Sequence, residues 1–157
     1  MRTLCVVVLV FAAGCNFGGS NTPRFGRWKV TEITGKVTYV DSGAACVGSY
    51  TFNMPDLMNA RNGVRVNGGA LEYTFSFKGV AGSPAPDGYD LAGTAAAMSG
   101  TINGTDNRED LHAVSTAMGG YDDSKMNVNW TLEQHLGMAS ACKTDISGSG
   151  TFAATPP

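Results

Sequence analysis

The sequence predicts an all-β domain, an antiparallel meander of about eight strands that closes into a small barrel or sandwich. Three observations favour this fold class. Apolar and polar residues alternate along several segments, Gly accounts for 21 of the 157 residues, and only 15% of the residues are charged. Alternation with a period of two is typical of half-buried antiparallel strands. The low charge argues against a helical bundle, whose surface needs more Glu, Lys and Arg.

The clearest strands lie in the middle and near the end of the chain. Residues 71–77 and 126–132 each alternate between an apolar and a polar face. The Asn-Gly-Gly sequence at 67–69 predicts a tight hairpin just before the first of these strands. An earlier strand begins at Trp28, and the Thr-Gly pair at 34–35 predicts a break after it.

Polar or proline-rich segments predict the connections. We expect loops or turns at 79–90, 103–110 and 119–123, where Gly, Asn, Asp and Pro are concentrated. Segment 55–61 predicts one short helical turn, because a proline stands at its start and a glycine lies just beyond its end. Segment 92–102 is compatible with either strand or helix, since small residues occupy both faces.

The N-terminal residues predict a lipoprotein signal peptide spanning residues 1–14. Arg2 gives a positive start, and the apolar stretch that follows is shorter than the roughly 20 residues that cross a bilayer. The sequence Ala-Ala-Gly-Cys at 12–15 resembles the lipobox of bacterial lipoproteins. That resemblance implies a diacylglycerol group on Cys15. Ordinary secretion is the alternative, because small residues also suit standard signal peptidase.

The four cysteines favour the lipoprotein interpretation. Cys5 would leave with the signal peptide, and cleavage just before an unmodified Cys15 would leave an odd number in an oxidising compartment. If Cys15 carries lipid, Cys46 and Cys142 remain to form one disulfide. No Cys-x-x-Cys spacing points to redox chemistry. A bridge that closes a loop of about 100 residues stabilises a fold by roughly 4–5 kcal/mol in the chain-entropy model.

These assignments divide the chain into a signal peptide, a lipidated cysteine with a flexible tether at 15–23, and an antiparallel β domain at 24–153. We expect a location in the bacterial cell envelope. Asn16 after the cysteine favours the outer membrane over the inner one. Loss of Arg2 changes the formal charge from −2 to −3, so the sequence excludes the basic surface of a nucleic-acid binder. It also predicts no electrostatic attraction of the whole domain to an anionic membrane.

Motifs that carry catalytic or metal chemistry are absent from the sequence. His112 and His135 stand apart, with no His or Cys at metal-ligand spacing. The acidic segments at 106–110 and 122–123 lack the EF-hand pattern, so we interpret them as solvated turns, with a calcium site as the alternative. No Gly-x-Ser-x-Gly elbow occurs. We therefore expect no cofactor, no metal and no enzyme activity.

Two short segments resemble the calycin group of barrels. Gly26-Arg27-Trp28 is similar to the Gly-x-Trp that begins lipocalin barrels, and 126–132 with 150–152 is similar to the late strands of avidins. The resemblance implies that Trp28 plugs the closed end of an eight-stranded up-and-down barrel. The other end of such a barrel would admit a small apolar ligand.

The leading functional hypothesis is a membrane-anchored binding domain for a small apolar or amphiphilic ligand. Large side chains on the apolar faces would line its interior: Tyr50, Phe52, Tyr73, Phe75, Phe77, Met126 and Trp130. The alternative for these residues is that they fill the core of a small barrel. The alternative function is a structural or assembly lipoprotein that recognises another envelope protein through loops 79–90 and 103–110.

The lipid anchor generates the first testable prediction. Replacement of the modified residue, Cys15→Ser, should release the protein from membranes into the soluble fraction, because the acyl chains supply the attachment. Fractionation and immunoblotting of cells that produce either form measure this. A Cys15→Ser protein that stays in the membrane fraction would show that the anchor lies elsewhere.

Overall fold

The computed structural model describes residues 26–43, 48–56, 62–78, 88–137 and 141–156. Strand accounts for 80% of this part of the chain, and its one helical element is a 3-10 turn at Glu109–Leu111. The all-β prediction is confirmed. None of the described residues forms a helix that is long and apolar enough to cross a membrane. The predicted signal peptide, the tether, Cys15 and Cys46 lie outside the described residues.

Eleven strands follow one another in the described part of the chain. They are β1 Gly26–Ile33, β2 Lys36–Ser42, β3 Gly48–Phe52, β4 Met54–Pro55, β5 Gly63–Asn67, β6 Ala70–Lys78, β7 Gly88–Met98, β8 Thr101–Arg108, β9 Ala113–Tyr121, β10 Met126–Leu136 and β11 Lys143–Thr155.

The strands form one antiparallel sheet that closes on itself as a ring. β1 and β2 act as one long strand, since both pair with β11. β3, β4 and β5 share the next position. β3 pairs with β2, β4 pairs with β6, and β5 pairs with both β1 and β6. The remaining strands, β6 to β11, follow as a meander. The ring therefore has eight strand positions, close to the predicted number, and its connectivity is the predicted antiparallel meander.

The two ends of the ring differ in their connections. At one end, called here the short-turn end, tight turns join the strands at 68–69, 99–100 and 122–125. β1 begins at this end, and β11 finishes there. At the other end, called here the long-loop end, the connections include 79–87 and 137–142. The start of β1 and the longer connections therefore lie at opposite ends of the ring.

Inward side chains fill the ring with a single hydrophobic core. Trp28, predicted to plug the closed end, is 2% exposed and belongs to this core, on the strand that enters at the short-turn end. Phe75 and Phe152 pack with ring centroids 4.7 Å apart, and Phe77 lies 5.5 Å from Trp130. Each buried large apolar side chain contributes about 1.5–3 kcal/mol relative to its exposed state.

A bend at Thr34 and Gly35 lets the first long strand stay in contact with β11. Gly35 has a φ of +111°, which favours glycine, and the backbone of Gly150 packs directly against it. Thr34 donates its N–H to Thr151 O at 2.8 Å, and the two threonine hydroxyls lie 2.7 Å apart. The predicted break at 34–35 is therefore confirmed as a bend that preserves pairing.

Asn62 and Asp56 bridge the interruption between β4 and β5. The backbone N–H of Asp56 donates to Ser76 O at 2.9 Å, and Ser76 N–H donates to Asn62 Oδ1 at 2.9 Å. These bonds satisfy the polar backbone of β6 where no strand of the described residues lies beside it. Lys78 also forms an ion pair with Asp56 at 3.1 Å.

Several predicted connections are strands instead. Residues 103–108 belong to β8, and the predicted turn there is wrong because every residue of this polar segment is in register with β9. Residues 88–90 begin β7, and residues 119–121 finish β9. Pro55 lies in β4 rather than at the start of a helical turn; residues 57–61 lie outside the described part.

The ambiguous segment 92–102 resolves into strands. Residues 92–98 continue β7, a tight turn occupies Ser99 and Gly100, and β8 begins at Thr101. The alanines at 95 and 97 are buried while Ala96 is exposed, which is the alternation of a strand rather than a helix.

The predicted disulfide concerns the long-loop end. Lys143 pairs with Ser42, and a side chain at Gly43 would come within 3.5 Å of Cys142 Cα. Cys46 belongs to the connection that follows Gly43, outside the described residues. The proximity of Cys142 to this connection supports the pairing, which stays a prediction.

Reduction therefore should destabilise the protein. We expect a fall in melting temperature of about 8–16 °C, from a loss of roughly 4 kcal/mol. Thermal unfolding monitored by circular dichroism, with and without reductant, measures this. The double variant Cys46→Ala/Cys142→Ala should already melt at the lower temperature and should not respond to reductant. An unchanged melt of the unmodified protein would exclude a structural disulfide.

The bend generates a second stability prediction. Gly150→Ala should destabilise the domain by about 2–3 kcal/mol, because the added methyl group would collide with Thr34 O and Gly35 Cα, both backbone atoms. Ser149→Ala, at an exposed neighbouring position, should change stability by less than about 0.5 kcal/mol. Urea unfolding of the two variants checks the difference. Equal stabilities would show that the bend can move away from β11.

Candidate functional site

Six of the seven residues predicted to line a ligand site are fully buried in the hydrophobic core, and Tyr50 on β3 is half-buried. The aromatic members contact other core rings, as the Phe77–Trp130 pair illustrates. Four cavities are lined by described residues without any contribution from the following five: Phe52, Phe75, Phe77, Met126 and Trp130. Tyr73 alone reaches one. These contacts are those of core packing, the alternative that the sequence left open for them.

A gap between β7 and β8 interrupts the ring. The two strands pair only next to their turn, where residues 96–98 face 101–103. Beyond that point β7 stays paired with β6 and β8 stays paired with β9, but the two strands separate from each other. Asp106 partly bridges the gap, since its carboxylate accepts the Thr94 N–H at 3.1 Å. We call this region the β7–β8 opening; it lies on the side of the paired residues that faces the long-loop end.

The inner face of β8 carries charge where the opening begins. Asp106 pairs with Ser115 and Arg108 pairs with Ala113, and both partners on β9 are buried. Residues paired across antiparallel strands share a face, so Asp106 and Arg108 occupy inward positions. A charge at an inward position needs water or an ionic partner. The opening supplies that access, because Arg108 is exposed and Asp106 is only partly buried.

Two buried hydroxyl groups lie beside Gly93, near each other but without a hydrogen bond of standard geometry. Tyr73 is 2% exposed and Ser115 is 3% exposed, and neither hydroxyl has a hydrogen bond of good distance and angle within the described residues. A Cβ atom at position 93 would collide with both hydroxyls. Glycine at this position therefore leaves room for the two groups beside the backbone of β7. A buried unsatisfied polar group costs about 1–3 kcal/mol. A bound molecule could satisfy these two groups.

Two cavities meet in the β7–β8 opening. An inner chamber of about 200 Å³ and an outer groove of about 300 Å³ share Ala92, Asp106 and Arg108 in their walls. The remaining walls of the inner chamber are both apolar and polar: Tyr89, Asp90, Leu111, Ala113, Ser115, Leu132 and Gln134. The outer groove is completed by Glu72, Tyr73, Thr74, Gly93 and Thr94. The chamber is large enough for a small molecule and has a mixed surface.

The tyrosines at this site stay protonated at neutral pH. Burial raises the pKa of Tyr73, with a smaller rise from Asp106, and the nearby Ser115 hydroxyl partly offsets it. Burial also raises the pKa of Tyr89 to about 12, although Arg108 opposes this rise. Tyr89 donates its hydroxyl to Gln134 Oε1 at 3.0 Å. The hydroxyl groups are therefore neutral donors, and the formal charges shared by both cavities are those of Asp106 and Arg108.

The other sequence candidates do not converge on a site. Among the described residues, no group of three or more His, Cys, Asp or Glu side chains could hold a metal. His135 lies 2.6 Å from Asp145 in an exposed pair. In the acidic turn, Asp122 accepts hydrogen bonds from Ser124 and Lys125, and these bonds lower its pKa. This carboxylate therefore closes the turn between β9 and β10.

Sequence reasoning missed most residues of the opening. Asp106 and Arg108 were assigned to a turn, and Ser115 and Gln134 were not singled out. A usable signal exists at Gln134, which continues the inward series of β10 after Leu132 with a polar residue and is 8% exposed. The inward parity of Asp106 becomes visible only when β8 is aligned with β9.

Comparison with known proteins leaves the opening to be interpreted from its own geometry. No protein-family model matches the chain, and a search of curated proteins found no significant match. The groups that line the β7–β8 opening, and their charges, are therefore the basis for assigning a function.

Proposed function

We propose that the protein is a lipid-anchored binding protein of the bacterial envelope, whose ring of strands is a small barrel that holds a small amphiphilic ligand in the β7–β8 opening. The observation that carries the proposal is the pair of buried hydroxyls of Tyr73 and Ser115, which lie beside each other at Gly93 and make no hydrogen bond of standard geometry with the described residues. Buried polar groups in proteins nearly always have partners. We propose that a bound ligand forms hydrogen bonds with the Tyr73 and Ser115 hydroxyls.

The amphiphilic character of the ligand follows from the walls. Leu111 and Leu132 offer apolar surface inside the chamber, while Asp106 and Arg108 lie where it meets the outer groove. Small-molecule sites combine such apolar walls with a few well-placed polar groups. A chain of about eight carbons with one charged end would suit a chamber of about 200 Å³. We place the apolar part inside and the charged end beside β8.

The position of the tether supports a membrane-anchored carrier. Residues 15–23, which we interpret as the tether, precede Gly26, where β1 begins at the short-turn end. The β7–β8 opening lies beyond the paired residues, toward the opposite end. An anchor on Cys15 would thus leave the opening accessible from the aqueous side.

A structural or assembly lipoprotein is the second candidate. Met98 and Met118 favour it, because they are 66% and 58% exposed on the outer faces of β7 and β9. Exposed apolar residues on the strands at either side of β8 suit a protein partner. The loop 79–90 proposed for such contacts begins outside the described residues and ends in β7.

Binding of small amphiphiles tests the leading proposal. We expect octanoate and octylamine, which differ in the charge of the head group, to form one-to-one complexes detectable by native mass spectrometry and calorimetry. Arg108→Gln should weaken octanoate binding about tenfold with little effect on octylamine, because the guanidinium contacts only a negative head group. Asp106→Asn should have the reverse selectivity.

Two further results decide the matter. Ala96→Leu, on the outer face of β7 away from the chamber, should bind both probes as the unmodified protein does. Failure of the unmodified protein to bind either probe would overturn the proposal and favour the protein-recognition alternative. Equal losses in both charge variants for both probes would mean that the head groups do not contact β8.

A further inference from the structure

Opposite charges stand side by side on the inner face of β8 without pairing with each other. Asp106 and Arg108 occupy alternate positions of the strand, so their Cα atoms lie about 6.5–7 Å apart on one face. Within the described residues, no ion pair joins the two side chains, and the Arg108 guanidinium makes no hydrogen bond. Asp106 accepts the Thr94 N–H through Oδ2 alone. The described residues thus leave the guanidinium and one carboxylate oxygen for an incoming group.

Both charged residues border the same space. Asp106 and Arg108 are in the walls of the inner chamber and of the outer groove. Their partners on β9 are Ser115 and Ala113, which are small and buried. No bulky side chain of β9 therefore fills the space beside the two charges, and one bound molecule can contact both.

An α-amino acid matches this pair of charges. Its ammonium and carboxylate groups are joined through a single carbon, so a small head carries both signs. The ammonium group has only donors, which the Asp106 carboxylate accepts. The Arg108 guanidinium binds a carboxylate through paired N–H donors. A ligand with one charge would leave the other protein charge at an inward position without an ionic partner, which is unfavourable.

The inner chamber favours an uncharged, largely apolar ligand side chain. Leu111 and Leu132 supply apolar walls. The polar groups there bond to one another, since the Tyr89 hydroxyl donates to Gln134 Oε1 and Gln134 Nε2 donates to Leu111 O, each at 3.0 Å. A charged ligand side chain would find no free counter-charge among these four residues. The chamber of about 200 Å³ has room for an aliphatic or aromatic group.

A second carboxylate, that of Asp90, also borders the chamber. It accepts a hydrogen bond from Ser76 Oγ at 2.5 Å, and Ser76 alternates with core phenylalanines along β6. Residues paired across antiparallel strands share a face, so Asp90 belongs to the outer face of β7. Asp106 shares the inner face with Arg108 and is therefore the better placed partner for the ammonium group.

We propose that the β7–β8 opening binds a zwitterionic α-amino acid with an apolar side chain. Asp106 binds the ammonium group, Arg108 binds the carboxylate, and the side chain enters the inner chamber. This ligand class rests on the proposed function and narrows it from small amphiphiles in general to those whose head carries both charges.

Three probes with the same number of carbons test this proposal. The purified protein is titrated at neutral pH with L-2-aminooctanoate, octanoate or octylamine, and calorimetry measures binding. We expect L-2-aminooctanoate to bind about tenfold more tightly than either singly charged probe, because it alone satisfies both charges. Asp106→Asn, which keeps an acceptor for the Thr94 N–H, and Arg108→Gln should each remove this preference. Glu133→Gln, at an exposed position on the outer face of β10, should retain it.

The other outcomes separate this ligand class from the proposed function. Binding of octanoate and octylamine without a preference for L-2-aminooctanoate would overturn the amino-acid proposal and leave the proposed function intact. Binding of none of the three would overturn both. Loss of the preference in Asp90→Asn but not in Asp106→Asn would place the ammonium group on the outer face and contradict the proposed geometry. The comparison of probes uses the unmodified protein, so it stands even where a variant fails to fold.

Discussion

The pairing of β11 on both of its edges is the constraint on which the rest of the structure depends. Over its 13 residues this strand bonds to β10 on one side and to β1 and β2 on the other. An open sheet of this length would expose two long edges, which invite aggregation. Closure removes them and creates an inside, and the bend at Gly35 allows one continuous first strand to follow β11 along its length.

The β7–β8 opening is a local departure from this closure. Most neighbouring strands of the ring pair along much of their length, but the pairing of β7 with β8 ends after three residue pairs. Asp106 takes over part of the missing pairing, and two buried hydroxyls have no hydrogen bond of standard geometry with the described residues. Departures from regular pairing and satisfied polarity tend to occur at functional sites in otherwise consistent folds.

Sequence periodicity predicted the fold well where one face is uniformly apolar, as in 71–77 and 126–132. It failed at 103–108, because a strand with Asp106 and Arg108 on its inner face lacks the alternation that identifies strands. The residues missed by pattern are therefore those of the candidate site. Their roles depend on the register with β9 and on the separation from β7, and both are long-range properties. The alternation also predicted which aromatic side chains face the interior of the ring. It could not predict whether these side chains fill a core or line a cavity.

The order in which the chain is made gives the closing pair a consequence for assembly. The ring is completed only when residues near the C-terminus meet those near the start of the domain, as Phe152 meets Ile33. Contacts so distant in sequence form slowly, and incomplete sheets expose adhesive edges. Until the last dozen residues have been synthesised, β10 and the first strand have no common neighbour. Truncation of β11 would therefore leave the sheet permanently open, with the unpaired edges that a complete chain exposes only during folding.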